Sequence, residues 1–298
     1  MDNKTILLTG ATGFLGSYIL KNLIDEKYNI VILKRSSSNT FRINTLLNKV
    51  KFYDIDKVDI KIPFKENKID IVIHTAVNYG RKNESFSSVL ETNLLFSLRL
   101  IETATFFNTD TFFNTDTLLY KYLTAYSLSK KQFVEWLKVF SNRIKVVNIK
   151  IEHMYGPKDD DQKFVTWIIH SMLKEKEVNL TEGCQKRDFI YVSDVSSAYL
   201  TIIKNLHIIK EQYIEFDVGT GSFIKIKDFV CKAKSILENI INRKISARLN
   251  FGAIPYRNGE LFDIHEDLSN LKSLGWKSVV NLDDGLNFTI QEILEGLK

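Results

Sequence analysis

The run Gly10-Ala11-Thr12-Gly13-Phe14-Leu15-Gly16 constrains this chain more than any other feature. It follows a short apolar segment, Thr5–Thr9, and opens the apolar-periodic stretch Phe14–Lys27, so its three glycines stand at a strand-to-helix turn. Each glycine has a distinct use there. Gly10 permits a tight turn, Gly13 lets backbone N–H groups approach a pyrophosphate at the positive end of the helix, and Gly16 lets the helix pack close to the strand. The expected ligand is a dinucleotide, with Thr12, Phe14 and Leu15 beside the glycines as contacts.

The first half of the chain continues in the same way. Brief runs rich in Ile, Val and Phe at Thr5–Thr9, Asn29–Leu33, Val50–Ile55, Ile69–His74, Thr111–Asn114 and Ile144–Lys150 read as strands buried on both faces. Helical stripes fall between them at Phe14–Lys27, Val89–Ala104 and Ser129–Phe140. Such alternation predicts an α/β fold with a doubly wound parallel sheet, the Rossmann arrangement. Beyond residue 157 strict alternation is lost. Helices are expected at Phe164–Lys174, Val195–Lys204, Ile226–Ile241 and Asp283–Leu297, and short strands at Arg187–Val192 and Tyr213–Val218, with Ala247–Phe251 between the last two helices. We therefore expect a dinucleotide-binding domain over 1–157, a segment near 187–220 returning to it, and a smaller mixed α/β substrate domain over 158–298.

Composition removes other classes. The 298 residues are 44% hydrophobic and 26% charged, inside the globular range. A formal charge of +5 from 41 basic and 36 acidic residues, without a run of five like charges, gives no reason to expect a nucleic-acid partner. No stretch of 18 apolar residues could span a bilayer, and Met1-Asp2-Asn3-Lys4 does not read as a secretory leader. Two cysteines, Cys184 and Cys231, make no disulfide framework. His74, His153, His170, His207 and His265 lack metal-ligand spacing. A cytoplasmic chain without a metal is expected.

The sequence repeats Phe-Phe-Asn-Thr-Asp-Thr in tandem at 106–111 and 112–117. A strand beginning at Phe106 would leave only Thr105 to reverse the chain after a helix ending near Ala104, whereas such connections usually take about 2–6 residues. The second copy is the better strand. Asn108-Thr109-Asp110 then supplies the turn, and Thr115 rather than Thr109 lies at the carboxyl end of the strand, where α/β sheets bind ligands.

Two further patterns carry chemistry. At the end of the second strand, where a carboxylate would favour NAD, the chain has Lys34-Arg35-Ser36, and an Arg/Lys pair with a hydroxyl suits a 2′-phosphate, so NADP(H) is favoured over NAD(H). Tyr126 and Lys130, at i and i+4, share one helix face. A neighbouring ammonium stabilises a phenolate, which would let Tyr126 exchange a proton with a carbonyl or hydroxyl near neutrality.

With these residues in place the chain resembles the extended short-chain dehydrogenase/reductase family, in its nucleotide-sugar epimerase, dehydratase and reductase branch. The carriers are the glycine run, Ile73-His74-Thr75-Ala76, the Thr115/Tyr126/Lys130 set, Tyr155-Gly156-Pro157, Arg187 through Val195, and Val218-Gly219-Thr220-Gly221. The stretches Glu152–Pro157, Gly183–Ile190 and Phe251–Ile254 look most like the CDP-abequose and CDP-paratose synthases. The resemblance implies Tyr126 as acid/base, Lys130 on the nicotinamide ribose and Thr115 on the reacting sugar oxygen. It also implies Asp54 and Ala76 as cofactor contacts, His153, Arg187 and Arg257 as contacts of a nucleotide-sugar substrate, and a homodimer formed through Val89–Ala104 and Ser129–Phe140. His153 stands where many relatives carry Asn, and Lys150 where arginine is frequent. For Arg187 a salt bridge with Asp188 or Asp194 is the plainer alternative.

One departure bears on the reaction. Related dehydratases follow the strand-end Thr with Asp and Glu, whereas here Thr115 is followed by Asp116 and Thr117, so dehydration lacks its second carboxylate. The expected activity is reduction of a nucleotide-activated 4-keto-6-deoxy-sugar, CDP-4-keto-6-deoxyglucose in type, for surface polysaccharide synthesis. A 4-epimerase holding NAD shares every catalytic residue and stays open, as does a silent dinucleotide-sensing scaffold.

Overall fold

The structure is a computed structural model that describes residues 4–81, 83–174 and 176–297. Met1–Asn3, on which the leader reading partly rests, lie outside the described residues. The strands are β1 (Thr5–Thr9), β2 (Asn29–Lys34), β3 (Lys51–Asp54), β4 (Ile71–His74), β5 (Thr111–Thr117) and β6 (Lys145–Ile151). They continue with β7 (His153–Tyr155), β8 (Val178–Leu180), β9 (Lys186–Tyr191), β10 (Tyr213–Val218), β11 (Phe223–Lys225) and β12 (Leu249–Phe251). The helices are α1 (Phe14–Asp25), α2 (Lys61–Glu66), α3 (Phe86–Leu90), α4 (Phe96–Phe106), α5 (Ala125–Phe140), α6 (Phe164–Leu173), α7 (Val192–Lys204), α8 (Ile226–Ile241), α9 (Ser269–Ser273) and α10 (Leu282–Glu295).

The chain divides into two compact units. Unit 1 runs to Ile151 and resumes over Ser196–Val218 and Ser269–Trp276; unit 2 holds Glu152–Val195, Gly219–Leu268 and the residues from Lys277 onward. In unit 1 seven strands pair in parallel in the order β10-β6-β5-β4-β1-β2-β3. The order reverses at β1, which has β2 on one side and β4 on the other, so the switch point lies at the carboxyl ends of β1 and β4. The expected doubly wound sheet is present. Its central strands are wholly buried at Ile6–Leu8 and Ile71–Ile73. On one face Leu7, Val72, Phe112 and Val146 pack with Leu100, Ile101 and Ala104 of α4 and with Phe133 and Leu137 of α5. Burying each such large side chain contributes about 1.5–3 kcal/mol.

Unit 2 has its own core. The rings of Phe189 and Phe229 stack with centroids 3.8 Å apart, and Tyr155, Ile168, Leu237, Leu286 and Ile290 close around them. β9 pairs with β11 and β7 in a three-stranded sheet, and β12 pairs with β8. The segment that returns to unit 1 is Ser196–Val218, while β9 spends its backbone hydrogen bonds within unit 2. Three-residue strands such as β7, β8 and β11 are too short to show a period in sequence.

Two helix boundaries differ from expectation in ways that position the site. α5 begins at Ala125 and not Ser129, because Thr124 Oγ1 accepts from Ser127 N at 3.1 Å while Ser127 Oγ accepts from Thr124 N at 3.0 Å. The helical stretch expected over Val89–Ala104 runs from Phe86 to Phe106 and contains one π-helical turn, Glu91–Leu95. That extra residue per turn brings Asn93 inward, to 1% exposure.

Candidate active site

The identical hexapeptides adopt different structures. The first copy forms the end of α4 and a turn in which Asn108 takes a left-handed φ of 55° and Thr109 N donates to Ala104 O at 2.9 Å. The second copy forms β5. Thr109 therefore sits in the turn, and Thr115 in the strand that runs toward the ligand end of the sheet.

Alternation along β5 decides what its side chains meet. Phe112 faces His74 and Phe133, Asn114 Nδ2 donates to Asn148 Oδ1 at 2.7 Å, and Asp116 Oδ2 accepts from Lys131 Nζ at 2.8 Å. Phe113 and Thr115 take the other face. There the Phe113 ring stacks on Tyr199, and the Thr115 and Tyr199 hydroxyls lie 2.7 Å apart. Tyr199 is 1% exposed, so its hydroxyl must find a partner within the protein, and Thr115 supplies it. Thr115, expected against the reacting oxygen, is thus directed to α7.

Tyr126 and Lys130 lie on α5, where the Lys130 side chain is buried and Tyr126 is half-buried. The rings of Tyr79 and Tyr126 approach to 4.8 Å between centroids, and the Arg81 guanidinium caps Tyr79 at 4.9 Å. Burial pushes the Tyr126 phenol well above its usual value, with Tyr79 and Asp116 adding to the rise; the Thr117 hydrogen bond and Arg81 oppose it. The direction is opposite to the one expected from a neighbouring ammonium, because burial is the largest influence on the phenol. Lys130 is itself lowered by burial to about 8, with Asp116 opposing the fall and Lys131 reinforcing it.

A polar network fixes the floor of the site. Asn93 Oδ1 accepts from Asn78 N at 2.7 Å, and its Nδ2 donates to Asn78 O at 2.8 Å and to Ser129 Oγ at 3.0 Å. Ser129 Oγ in turn donates to Tyr126 O at 2.8 Å. Ser97 Oγ donates to Asn93 O, so His74 carries its proton on Nε2 toward Ser97, and Nδ1 accepts from Thr9 Oγ1 at 2.7 Å. Burial, then Lys130, keep this imidazole neutral. Tyr79, Arg81, Asn93 and Thr117 were not singled out in the sequence; Asn93, a lone amide in an apolar helical stripe, is the one that left a signal.

The glycine run fits a dinucleotide. Gly10 has φ +71°, and a Cβ on it would lie 2.6 Å from Ala76 N; one on Gly16 would lie 2.1 Å from Gly10 O. α1 has no side-chain N-cap and no acidic residue in its first turn, as suits an anion at its amino end. Ala76 N donates to Thr9 Oγ1 at 3.3 Å, and Arg42 Nη1 donates to Thr12 O at 3.4 Å. At the end of β2, Lys34 pairs with Asp54 and lies 4.8 Å from the Phe52 ring, while Ser36 N donates to Asp56 Oδ1 at 2.7 Å. Asp54, expected at the cofactor, serves as the partner of Lys34. Arg35 is exposed.

Most of the remaining expected residues lie in unit 2. Arg187 pairs with Glu260, not with Asp188 or Asp194, and its Nη1 donates to Leu261 O at 2.8 Å and Lys186 O at 2.6 Å. Glu260 also meets Arg257, at 3.4 Å, whose side chain is 70% exposed. His153 Nδ1 lies 2.9 Å from Glu152 Oε2. In unit 1 Lys150 pairs with Asp217 at 2.8 Å and Glu215 at 3.0 Å. Among the described residues no cluster of His, Cys, Asp and Glu could hold a metal, and no helix is long and apolar enough to cross a membrane.

The profile of the NAD dependent epimerase/dehydratase family (Epimerase) matches residues 6–214. The chain belongs to this family. CDP-abequose synthase of Salmonella muenchen is 34% identical over 295 residues, 95% of this chain and 96% of that protein. The CDP-abequose synthase of Salmonella typhimurium is 32% identical over 305 residues, 98% of each. The crystal structure of UDP-glucose 4-epimerase from Thermotoga maritima shares the fold with a TM-score of 0.82 at 22% identity, covering 99% of this chain and 100% of that one. This member of the family is an enzyme of the short-chain dehydrogenase/reductase type.

Proposed function

We propose that the enzyme is an NADPH-dependent reductase that converts the 4-keto group of a nucleotide-activated 6-deoxy-sugar into a hydroxyl, with a CDP-linked sugar as its substrate. The observation that carries this reading is Tyr126, set against Tyr79 near the start of α5 with its phenol held protonated, and Lys130 one turn behind it. A proton donor must hold its proton until charge develops on the substrate oxygen, and burial secures that. Similarity to CDP-abequose synthases over nearly the whole chain supports the substrate class. Asp116 is 2% exposed and paired with Lys131, an arrangement that suits a structural carboxylate better than a dehydratase acid.

When bound, the reduced nicotinamide supplies a hydride to the carbonyl carbon. Tyr126 gives its proton to the carbonyl oxygen, and Lys130, as ammonium, steadies the phenolate left behind. Gly10, Gly13 and Gly16 admit the pyrophosphate to the amides of α1, and Arg35, with Ser36 beside it, is proposed to meet a 2′-phosphate. Arg257, the more exposed arginine of its pair, is proposed for the substrate diphosphate, with Arg187 and His153 as further contacts. We also propose a cytoplasmic homodimer. Phe86, Leu95, Trp136 and Val139 are 78%, 43%, 48% and 61% exposed on the helical stretch 86–106 and on α5.

The second reading, a 4-epimerase, is favoured by the fold shared with UDP-glucose 4-epimerase. Purified enzyme separates the two. Stoichiometric consumption of NADPH with a CDP-4-keto-6-deoxy-sugar is expected; co-purified NAD with turnover that needs no added nucleotide would overturn the reductase. Sedimentation of the protein tests the dimer.

A further inference from the structure

We propose that Lys131 is a positioning residue: by holding the Asp116 carboxylate and the Thr117 carbonyl, it keeps that carboxylate from capturing the neighbouring Lys130, whose ammonium stays available to Tyr126. Lys130 and Lys131 are successive residues of α5, so their side chains leave the helix about 100° apart. They divide the contact with the sheet between them. Lys130 is 3% exposed and shares its helix face with Phe133 and Val134, which pack on the sheet. Lys131, 22% exposed at its side chain, reaches the end of β5 from the side, where Nζ donates to Asp116 Oδ2 at 2.8 Å and to Thr117 O at 2.5 Å.

Asp116 stands on the sheet face that Lys130 covers. Strand alternation puts it with Phe112 and Asn114; Phe112 packs on Phe133, and Asn114 pairs in register with His74 of β4. The titratable groups that act on the Lys130 ammonium are Asp116 from β5, His74 from β4, which is held neutral, and Lys131 from α5 itself. Asp116 is 2% exposed, and its Oδ1 is buried with no donor among the described residues. A buried carboxylate with an open oxygen attracts a buried ammonium strongly, because the low dielectric that makes each charge costly also strengthens the pull between them. Lys131 satisfies that carboxylate first. Its Oδ2 is fixed between Lys131 and Asn148 Nδ2, the latter at 3.5 Å, and the bond to Thr117 O ties the Lys131 ammonium to the strand backbone.

Two ammoniums and one carboxylate leave one positive charge uncompensated, and that charge is the one a phenolate at Tyr126 would draw on. What Lys130 does for Tyr126 rests on the reductase reading. Which cation holds Asp116 does not.

The experiment labels the lysines with carbon-13 at Cε, assigns the Lys130 signal with Lys130→Met, and follows its titration in wild type, Lys131→Met, Lys131→Arg and the double variant Lys131→Met/Asp116→Asn, with kinetics in parallel. Lys131→Met should raise the pH at which Lys130 titrates and lower kcat about tenfold or more, with KM changed less than about threefold. Lys131→Arg should keep both near wild type. In the double variant the carboxylate is gone, so kcat should return to within about threefold of wild type and Lys130 should titrate no higher than in wild type; a merely structural clamp would leave the double variant as slow as Lys131→Met. Lys131→Gln replaces the methionine variant if the latter does not fold. The proposal is overturned by a Lys130 titration that Lys131→Met leaves in place, by a Lys131→Met kcat within about twofold of wild type, or by a double variant no faster than Lys131→Met. If wild type reduces no 4-keto nucleotide sugar, the reductase reading fails, and the Lys130 titration still decides which cation holds Asp116.

Discussion

The carboxyl groups of Asp188 and Glu266 converge on a single backbone donor: Gly221 N lies 2.7 Å from Asp188 Oδ2 and 3.0 Å from Glu266 Oε1. Asp188 also accepts from Thr220 N and Thr220 Oγ1, each at 2.6 Å, whereas Glu266 Oε2 is buried with no donor among the described residues. Two carboxylates cannot both remain charged so close together in a buried site. The proton belongs to Glu266, whose carboxyl is pushed well above its usual range first by burial and then by Asp188, and Oε2 is the oxygen left to carry it.

This pair gives unit 2 a pH dependence. Folded Glu266 keeps a proton that the unfolded chain releases above its ordinary value of 4.5, so the associated stability is present below that pH and is lost as pH rises through the folded value. Glu266→Gln keeps a donor toward Asp188 and cannot titrate. The melting temperature of the variant relative to wild type should climb steadily between about pH 5 and 8. A constant difference across that range would show that Glu266 holds no extra proton.

Lys130 should show the opposite sign. Burial lowers it to about 8 from 10.5, so the unfolded chain binds the extra proton between those values and wild type gains stability as pH rises through them. The gain is lost again as pH falls through about 8. Measured against Lys130→Met by denaturant unfolding, the wild-type advantage should grow by up to about 1.4 kcal/mol per pH unit across the window. Parallel curves for the two proteins would mean that the ammonium is better solvated than its 3% exposure implies.

Cofactor choice should hinge on Arg35. Lys34 is bound to Asp54, and Ser36 is bound to Asp56, so Arg35 is the cation at the end of β2 best placed to turn to a 2′-phosphate. Arg35→Ala should raise the Kd for NADPH by roughly tenfold, about 1.4 kcal/mol, and that for NADH by less than about twofold. Fluorescence titration of the two nucleotides measures both. Equal weakening of the two would assign the discrimination elsewhere, and Arg42, beside Thr12, would be the next residue to change.

The parallel sheet and the glycine run were legible in sequence because strands buried on both faces read as apolar runs and because a glycine at +71° with no room for a Cβ leaves a fixed mark. The tandem repeat was legible only from its neighbours. Identical hexapeptides have identical propensities, so the end of α4 decided which copy became the strand. The start of α5 was missed because its signal is the pair Thr124 and Ser127, and serine is a less familiar third member of a capping box than glutamate. The partner of Arg187 was not legible at all. Glu260 is 73 residues away in sequence, and only the tertiary structure brings the two together. The same holds for Thr115 and Tyr199, 84 residues apart, whose hydroxyl contact no local pattern could announce.

Tyr126→Phe tests the acid itself. The substitution removes the hydroxyl and leaves the ring against Tyr79, so the stack and cofactor affinity should survive while turnover falls by about 10²–10⁴-fold. The pH profile adds a sharper distinction. A phenol pushed far above its ordinary 10 by burial stays protonated throughout the neutral range, so Tyr126 should leave kcat flat from about pH 6 to 8. Lys130, lowered to about 8, titrates just beyond, and kcat should bend there as the ammonium that steadies the phenolate is lost. The residual activity of Tyr126→Phe should keep no share of that bend, because with no phenolate formed the ammonium has nothing to stabilise. A wild-type profile that already falls between pH 6 and 7, and a Tyr126→Phe enzyme with nearly full turnover, would each remove Tyr126 from the role of proton donor.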